Sequence, residues 1–145
     1  MTRYLLDTNI ISHVTKPSPS ASLLQWMAEQ VDEDLFISTL SIAEIRRGIL
    51  QMPEGRKKRD LVDWFSSPKG PQALFKHRVL PFDEPAALVW AQLMADGAAQ
   101  GRPRSALDMI VAATASANGC TVVTENEKDF RDVAEVINPL RPRSP

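Results

Sequence analysis

Acidic side chains occur at several points where an apolar strand is predicted to lead into a helix. Asp7 directly follows one such strand, Glu44 lies in the helix after a second one, and Asp108 opens the apolar run 109–113. If the strands are parallel, these positions lie along one edge of one sheet, where open α/β folds bind their ligands. Carboxylates that converge on one point repel each other, so the pattern predicts a site for a divalent cation.

The chemistry of such a cation suits hydrolysis of a phosphodiester. Mg²⁺ and Mn²⁺ prefer oxygen ligands and keep open positions for water and phosphate oxygens. An ion of this kind activates a water and stabilises charge on a phosphodiester under attack. A helix N-terminus favours an ionised carboxylate, which would keep Asp7, Glu44 and Asp108 charged for binding.

Each carboxylate also has a purely structural explanation. Asp7 can cap the first helix, and segments 41–44 and 105–108 both fit a capping box, in which the acid bonds back to the backbone of the serine. Asp108, however, is the only charged side chain in a helix that is expected to be buried, and that helix contains no Lys or Arg to pair with it. The coincidence of three acids at the same kind of boundary favours a shared cation.

Motifs for other chemistries are missing from the sequence. It contains no Walker loop, no G-x-G-x-x-G and no H-E-x-x-H segment. His13 and His77 lack zinc-ligand spacing and are predicted to be surface residues. A receiver-like phospho-acceptor domain also gathers acids at strand ends, but it needs a lysine after a late strand, and Lys128 is a poor candidate.

Length and composition indicate one globular domain with an uneven charge distribution. The chain has 145 residues, 43% of them hydrophobic, and its net charge of −1 excludes a globally basic nucleic-acid binder. Segment 46–78 carries nine Lys or Arg against three acids, so its net charge is +6 and that of the remainder is −7. A basic flank beside an acidic site suits a polyanion held over a cation, although a solvated helical face gives the same pattern.

Nothing in the sequence indicates export or a membrane. The single cysteine, Cys120, allows no disulfide framework, which fits a reducing compartment. The N-terminus leads directly into a strand without a signal peptide, and no apolar run reaches the roughly 18 residues of a membrane helix. We therefore expect a cytoplasmic protein with one domain over residues 1–138 and a frayed tail over 139–145.

Strand and helix patterns alternate along the chain, which predicts an α/β fold with a mainly parallel sheet of four to five strands. A break at 17–20 separates the first two helices, and Leu23, Leu24 and Met27 are predicted to be buried. The predicted strands are 3–6, 35–38, 79–80, 121–124 and 133–137. Helices are predicted to begin at residue 8 and at Pro53, and one is predicted to extend from the Asp83 cap to Gly97. Further helices are predicted over 21–30, 41–50, 72–76 and 105–118, and Gly119 is predicted to stop the last of them.

Six segments in this order resemble PIN-domain ribonucleases, and among these the VapC-type toxins of the FitB-like branch. The resemblance spans nearly the whole chain. The segments are 4–12 (YLLDTNIIS), 38–48 (STLSIAEIRRG), 80–83 (LPFD), 108–115 (DMIVAATA), 123–130 (VTENEKDF) and 136–139 (VINP).

The resemblance implies a three-layer α/β/α PIN-like domain and an endoribonuclease site that uses Mg²⁺ or Mn²⁺. Carried over onto this chain, Asp7, Glu44 and Asp108 become the catalytic, metal-binding acids. Where some members have a fourth acid, this chain has Asn126, so Asp129 or a water held by Asn126 is expected to complete the metal site. Residues expected to orient the ligands or water are Thr8, Asn9, Thr124 and Asn126.

The expected function is therefore that of the toxin of a type II toxin–antitoxin pair, which cleaves RNA through a metal-activated water. The resemblance also implies a homodimer and a small VapB- or FitA-like antitoxin that binds it as a hetero-oligomer. The alternative is a non-catalytic PIN-like module that binds RNA or protein and has a degenerate metal site. The candidates for contacts with RNA or antitoxin are Arg46, Arg56, Lys57, Lys58 and Arg59.

Overall fold

The computed structural model describes residues 2–14 and 18–141, and a parallel sheet forms the centre of this part of the chain. Its strands are β1 (Arg3–Leu6), β2 (Leu35–Ser38), β3 (Val79–Leu80), β4 (Cys120–Val123) and β5 (Val136–Ile137). They are arranged in the order β3-β2-β1-β4-β5, and every pair is parallel. The predicted α/β class with a parallel sheet of four to five strands is confirmed.

The described residues form eight α-helices between and after these strands. They are α1 (Thr8–Val14), α2 (Ala21–Ala28), α3 (Thr39–Leu50), α4 (Arg56–Phe65), α5 (Pro71–Leu74), α6 (Glu84–Ala99), α7 (Ala106–Ala117) and α8 (Glu127–Phe130). A 3₁₀ turn, Asp32–Asp34, precedes β2. No described helix combines the length and the apolar character that crossing a membrane requires.

Each face of the sheet has its own hydrophobic core, because successive side chains of a strand point to opposite faces. Leu6 of β1 packs with Ile10 of α1 and Leu23 of α2 on one face. Leu5 packs with Met109 of α7 on the other, where α6 also lies. Helices therefore cover both faces of the sheet, which confirms the predicted three-layer α/β/α arrangement.

The central position of β1 determines which residues meet at the edge of the sheet. Its neighbours are β2 and β4, and Leu6 is in register with Val123. The pairing continues one residue further, since the backbone N–H of Asp7 donates to the Val123 carbonyl at 2.8 Å. The residues that follow β1, β2 and β4 are thus brought to a single edge.

Several predicted boundaries and core positions were wrong. The charged helix begins at Arg56 rather than Pro53, because Gly55 has φ of 153°, which ends any helical path before it. The core position in α2 predicted for Leu24 belongs to Trp26: Leu24 is 47% exposed, whereas Trp26 is 5% exposed. Trp26 meets the Tyr4 ring edge-on at 5.1 Å between centroids.

Other differences concern short elements and helix ends. Strand β5 is shorter than the predicted 133–137, and the four-residue α8 was not predicted. Helix α6 continues past Gly97 to Ala99. Helix α7 ends as predicted, with Gly119 two residues beyond it at φ of 65°.

The described part of the predicted C-terminal tail contacts the domain. Pro139 is buried and Leu140 packs against the core. Arg141 Nη2 lies 2.9 Å from Glu127 Oε1. Residues 142–145 lie outside the described residues, as does Pro17 of the predicted break.

Candidate active site

Asp7 is fixed at the end of β1 by three hydrogen bonds. Its Oδ1 accepts from the Thr8 N–H at 2.8 Å, and its Oδ2 accepts from Thr124 Oγ1 at 2.9 Å and from Asn9 Nδ2 at 3.2 Å. The structure thus places three of the predicted orienting residues in contact with this acid. Burial raises the pKa of Asp7, the hydrogen bonds from Thr124 and Thr8 oppose that rise, and the charges of Asp108 and Glu44 add to it.

Glu44 is held by a residue of α1 rather than by a cap of its own helix. Helix α3 begins at Thr39, and the Oγ of its N-cap Ser38 accepts from the Ser41 N–H at 3.2 Å. The capping box predicted for segment 41–44 is therefore wrong, because the helix starts earlier and Glu44 lies in its second turn. Thr8 Oγ1 lies 2.7 Å from Glu44 Oε1 and donates to it, since a carboxylate can only accept.

Asp108 lies in the first turn of α7, where the core gives way to an open cavity. Ser105 is the N-cap, and its Oγ accepts from the Asp108 N–H at 3.2 Å, so the serine half of the predicted capping box is present. The helix is largely buried from its fourth residue onward, but Asp108 is only half-buried, and the expectation of a fully buried carboxylate was wrong. Burial raises the pKa of Asp108, the charges of Asp129 and Glu44 raise it further, and Ser105 opposes the rise.

Asp7, Glu44 and Asp108 line one cavity of about 290 Å³, which we call the acidic cavity. Within residues 2–14 and 18–141, no three acidic, His or Cys side chains are placed so that together they could hold a metal ion. Mg²⁺ usually keeps several waters and binds through one or two carboxylates. The all-oxygen donor set therefore fits a hydrated ion better than a closed protein cage. The remaining lining residues are Thr8, Asn9, Ser12, Leu107, Val111 and Asn126.

At the end of β4, Asn126 lines the acidic cavity and Asp129 does not. Thr124 is fully buried, and its Oγ1 accepts from the Asn126 N–H at 3.1 Å while it donates to Asp7. Asp129 is exposed on α8 and lines a neighbouring cavity together with Asp108. Of the four predicted metal-binding acids, Asp129 is thus the one that does not line the acidic cavity, and its charge is one cause of the raised pKa of Asp108.

The turn between β4 and α8 is fixed by contacts that sequence analysis missed. His13, predicted as a surface residue, lies 2.8 Å through Nε2 from Glu125 Oε2, and its side chain is 21% exposed. The Glu125 N–H donates to Asn9 Oδ1 at 3.2 Å. Asn138 Nδ2 donates to Glu127 Oε1 at 3.1 Å. The partners of Glu125 lie up to 116 positions away from it in the chain, so no local pattern could have indicated these contacts. Asn138 and Glu127 are closer together in the chain.

The predicted RNA- or antitoxin-binding residues lie on α3 and α4, outside the lining of the acidic cavity. The Arg46 guanidinium lies 5.4 Å from the centre of the Phe65 ring, so it packs against α4. Lys58 Nζ binds Glu54 Oε1 at 2.7 Å. The other three, Arg56, Lys57 and Arg59, are exposed on α4.

An apolar groove separates the basic face of α4 from the acidic cavity. It has a volume of about 240 Å³ and opens beside Thr8 and Glu44. Its walls are mainly aliphatic and aromatic, including Ile45, Leu61 and Trp64. Glu44 is the only charged residue among those that line it in the described part of the chain.

Comparison with known proteins identifies the family of this fold. Residues 4–136 match the PIN domain family. Toxin FitB of Neisseria gonorrhoeae is 37% identical over 137 residues, which cover 93% of this chain and 96% of that protein. VapC ribonuclease Y4jK of Sinorhizobium fredii is 34% identical over 139 residues, which cover 95% of this chain and 98% of that protein.

A solved structure agrees with these relatives. FitAB bound to an IR36 DNA fragment contains a chain that is 33% identical, with a TM-score of 0.87 over 97% of this chain and 98% of that chain. The agreement covers the strands and helices that carry Asp7, Glu44 and Asp108. The chain therefore belongs to the PIN-domain family and is similar to its FitB and VapC members, as its sequence segments predicted.

Proposed function

We propose that this chain is a Mg²⁺- or Mn²⁺-dependent endoribonuclease and the toxin of a toxin–antitoxin pair. The observation that carries the proposal is the convergence of Asp7, Glu44 and Asp108, from three separate elements, on one cavity. Like charges at such a place cost free energy that a bound cation removes. RNA as the substrate and the toxin role rest on the similarity to VapC ribonuclease Y4jK and Toxin FitB. Residues 1–138 are proposed to form the single nuclease domain.

Asp7, Glu44 and Asp108 would hold the hydrated cation, one or two of them directly and the rest through its waters, and Asn126 would add a neutral oxygen or hold a water. Asp129 would contribute through its charge on Asp108 or through a water. A bound Mg²⁺ or Mn²⁺ would activate a water for in-line attack and stabilise the charge of the phosphodiester.

The neighbouring side chains keep these carboxylates in position. Thr8 fixes two of them at once, since its backbone N–H donates to Asp7 and its hydroxyl to Glu44. The buried Thr124 hydroxyl fixes the second oxygen of Asp7. Such preorganisation matters because a displacement of about 1 Å can cost about 100-fold in rate.

The proposal includes a small antitoxin partner, a homodimer, and action in the cytoplasm, where the RNA substrate is. Association requires apolar surface, and the region around α6 and α7 offers some. Leu88 is 68% exposed, Leu107 40% and Phe82 38%. Exposed apolar side chains of this size are available to a partner, since contiguous apolar surface is typical of interaction sites.

A cleavage assay with labelled single-stranded RNA tests the proposal. We expect cleavage with Mg²⁺ or Mn²⁺, loss of cleavage in excess EDTA, and recovery when Mn²⁺ is added back. Asp108→Asn should fold and be inactive. Asp63→Asn, the same change on the exposed face of α4, is purified in parallel and should cleave like the wild type, which excludes a contaminating nuclease.

Full cleavage in EDTA would overturn the cation dependence. The second candidate function is a non-catalytic module that binds RNA or protein. It is favoured by the neutral Asn126 and by the lack, among the described residues, of three ligands placed so that together they could hold an ion. Such a module would bind RNA but would not cleave it, whether Mg²⁺ or Mn²⁺ is present. Metal-dependent cleavage that disappears in Asp108→Asn would exclude this second function.

A further inference from the structure

A second cavity meets the acidic cavity at Asp108. It has a volume of about 200 Å³, and among the described residues Asp108 is the one that lines both. Three basic side chains line it: Arg102 and Arg104 from the loop between α6 and α7, and Lys128 from α8. We call it the cationic cavity. None of these residues belongs to the basic segment 46–78 that the sequence indicated.

The loop that carries the two arginines is packed tightly on α6. The Arg102 N–H donates to the Gly97 carbonyl at 2.9 Å, and Arg104 Nη1 donates to the Leu93 carbonyl at 2.7 Å. A Cβ atom at position 97 would lie 3.0 Å from Arg104 Cγ and 3.0 Å from the Arg102 carbonyl oxygen. Glycine inside a helix costs about 1 kcal/mol relative to alanine. Here it lets the arginine loop approach the helix, so the loop is held in place beside Asp108.

Two of the basic side chains of the cationic cavity are not paired with its acids. Asp108, Asp129 and Asp132 also line it, yet within the described residues neither Arg102 nor Lys128 makes a side-chain hydrogen bond or an ion pair within 4.0 Å. Both side chains are exposed. Arginine is weakly hydrated and its donors match phosphate oxygens, and lysine binds phosphate as a point charge, so Arg102 and Lys128 beside the anchored Arg104 suit a phosphodiester.

The surroundings of the acidic cavity decide which way an RNA strand can run. On the side of Glu44 lies the apolar groove, whose described lining contains no Lys or Arg. On the side of Asp108 lies the cationic cavity. A strand whose scissile phosphodiester lies in the acidic cavity must place the next phosphodiester nearby. On the Glu44 side, Arg47 Nη2 lies 3.9 Å from Glu44 Oε2, whereas Arg102 and Lys128 on the Asp108 side are in no ion pair within the described residues. The Asp108 side therefore offers the unpaired positive charge.

We propose that the cationic cavity binds the phosphodiester next to the scissile one in single-stranded RNA, through Arg102, Arg104 and Lys128. The proposal rests on the ribonuclease function above and assigns to it a substrate-binding subsite. Arg102 and Lys128 are contact residues for the RNA backbone and carry no base specificity.

Binding without cleavage tests this subsite. The dissociation constant of a fluorescent single-stranded oligoribonucleotide is measured by anisotropy in EDTA, between about 50 and 200 mM salt. The double variant Arg102→Ala/Lys128→Ala should bind roughly tenfold more weakly, and its salt slope should fall by about 0.7 for each phosphate that the variant no longer neutralises. Lys76→Ala, the same change at an exposed lysine after α5, should stay close to the wild type.

A variant of opposite sign separates the charge effect from a loss of structure. Asp132→Asn removes an acid that lines the same cavity, so it should tighten RNA binding. All variants are checked by thermal melting. A double variant that binds RNA no more weakly than Lys76→Ala overturns the proposal. So does a double variant that binds RNA like the wild type but no longer binds the antitoxin, because the cavity would then be a protein interface.

The outcome is independent of the proposed function. If the wild type does not cleave RNA with either Mg²⁺ or Mn²⁺, but the double variant binds RNA more weakly than the wild type, the phosphate subsite stands and the ribonuclease proposal fails. If the wild type cleaves and the double variant binds RNA normally, the ribonuclease proposal stands and the subsite fails.

Discussion

Replacing Asp108 by Asn should stabilise the protein when no cation is present and destabilise it, relative to the wild type, when Mn²⁺ is present. The pKa of Asp108 is raised by burial and by the charges of Asp129 and Glu44, so the folded state disfavours its ionised form. Asparagine keeps the shape of the side chain without the charge. Asp7 is less suitable for this test because three donors converge on its two oxygens, and an amide nitrogen in place of one would face a donor.

The size of the effect follows from exposure and from mass action. Because Asp108 is only half-buried, solvent screens its repulsion, and the gain in the free energy of unfolding should stay below about 1 kcal/mol, or roughly 3 °C in Tm. A cation at 100 times its dissociation constant stabilises the wild type by about 2.7 kcal/mol. A variant that binds it weakly gains much less, so saturating Mn²⁺ should reverse the order of the two melting temperatures.

The pH dependence has a definite sign. Below the pKa of an unfolded aspartate, about 3.9, the aspartate carries its proton in both the folded and the unfolded state, so the Asp108→Asn variant has no advantage. As pH rises through that value and then through the raised pKa of folded Asp108, the wild type loses stability relative to the variant. The difference should therefore be absent near pH 3 and become constant once the pH exceeds the raised pKa of folded Asp108.

Thermal melting of the wild type, Asp108→Asn and the control Asp63→Asn, in EDTA and in Mn²⁺, measures these differences. The control should follow the wild type under both conditions. A variant that is less stable than the wild type in EDTA at pH 7 would contradict the electrostatic reasoning. An equal Mn²⁺-induced shift in the wild type and in Asp108→Asn would show that Asp108 is no ligand.

Three further predictions concern residues around the carboxylates. Asn126→Asp should tighten Mn²⁺ binding by adding a charge to the acidic cavity. Asp129→Ala should weaken Mn²⁺ binding by about 10-fold and keep partial activity. Calorimetric titrations in which neither variant differs from the wild type would show that the end of β4 does not contribute to cation binding. Thr8→Val should lower kcat roughly tenfold with little change in KM, because Glu44 loses its donor, and Thr8→Ser should not; an equal decrease in both would point to packing instead. Asn138→Ala should speed amide hydrogen exchange in the turn at 124–127, and unchanged exchange would show that this asparagine does not fix the turn.

The parts of the fold that were predictable are those with a strong local pattern. Strands β1 and β2 are short apolar runs bounded by polar residues, and α7 shows both its serine cap and its glycine stop in the sequence. Leu24 and Trp26 lie on opposite sides of α2, but residues 23, 24, 26 and 27 are all apolar, so the sequence did not show which side faces the core. The contact of Trp26 with Tyr4 on β1 selects the tryptophan. Helix α8 has four residues, too few for any periodicity to appear.

The three central acids could be found from sequence because each adjoins a recognisable strand or helix. Their supporting contacts could not. Glu44 has a plausible local partner in Ser41, and the structure shows that its hydroxyl donor comes from Thr8, 36 positions away in the chain. The arginines of the cationic cavity lie in an irregular loop, so neither charge runs nor helical spacing indicated them.

The electrostatics of Asp7 suggest why a neutral residue can occupy the fourth position. Burial and two neighbouring acids raise the pKa of Asp7, and hydrogen bonds from Thr124 and Thr8 oppose that rise. The Asn126 backbone contributes to that support, since its N–H donates to the same Thr124 hydroxyl that binds Asp7. An acid at position 126 would keep this backbone contact but add a further like charge to the cavity. Asparagine therefore preserves the orientation of Asp7 while limiting the repulsion that the fold must withstand without a cation, and the cost is weaker attraction for the ion.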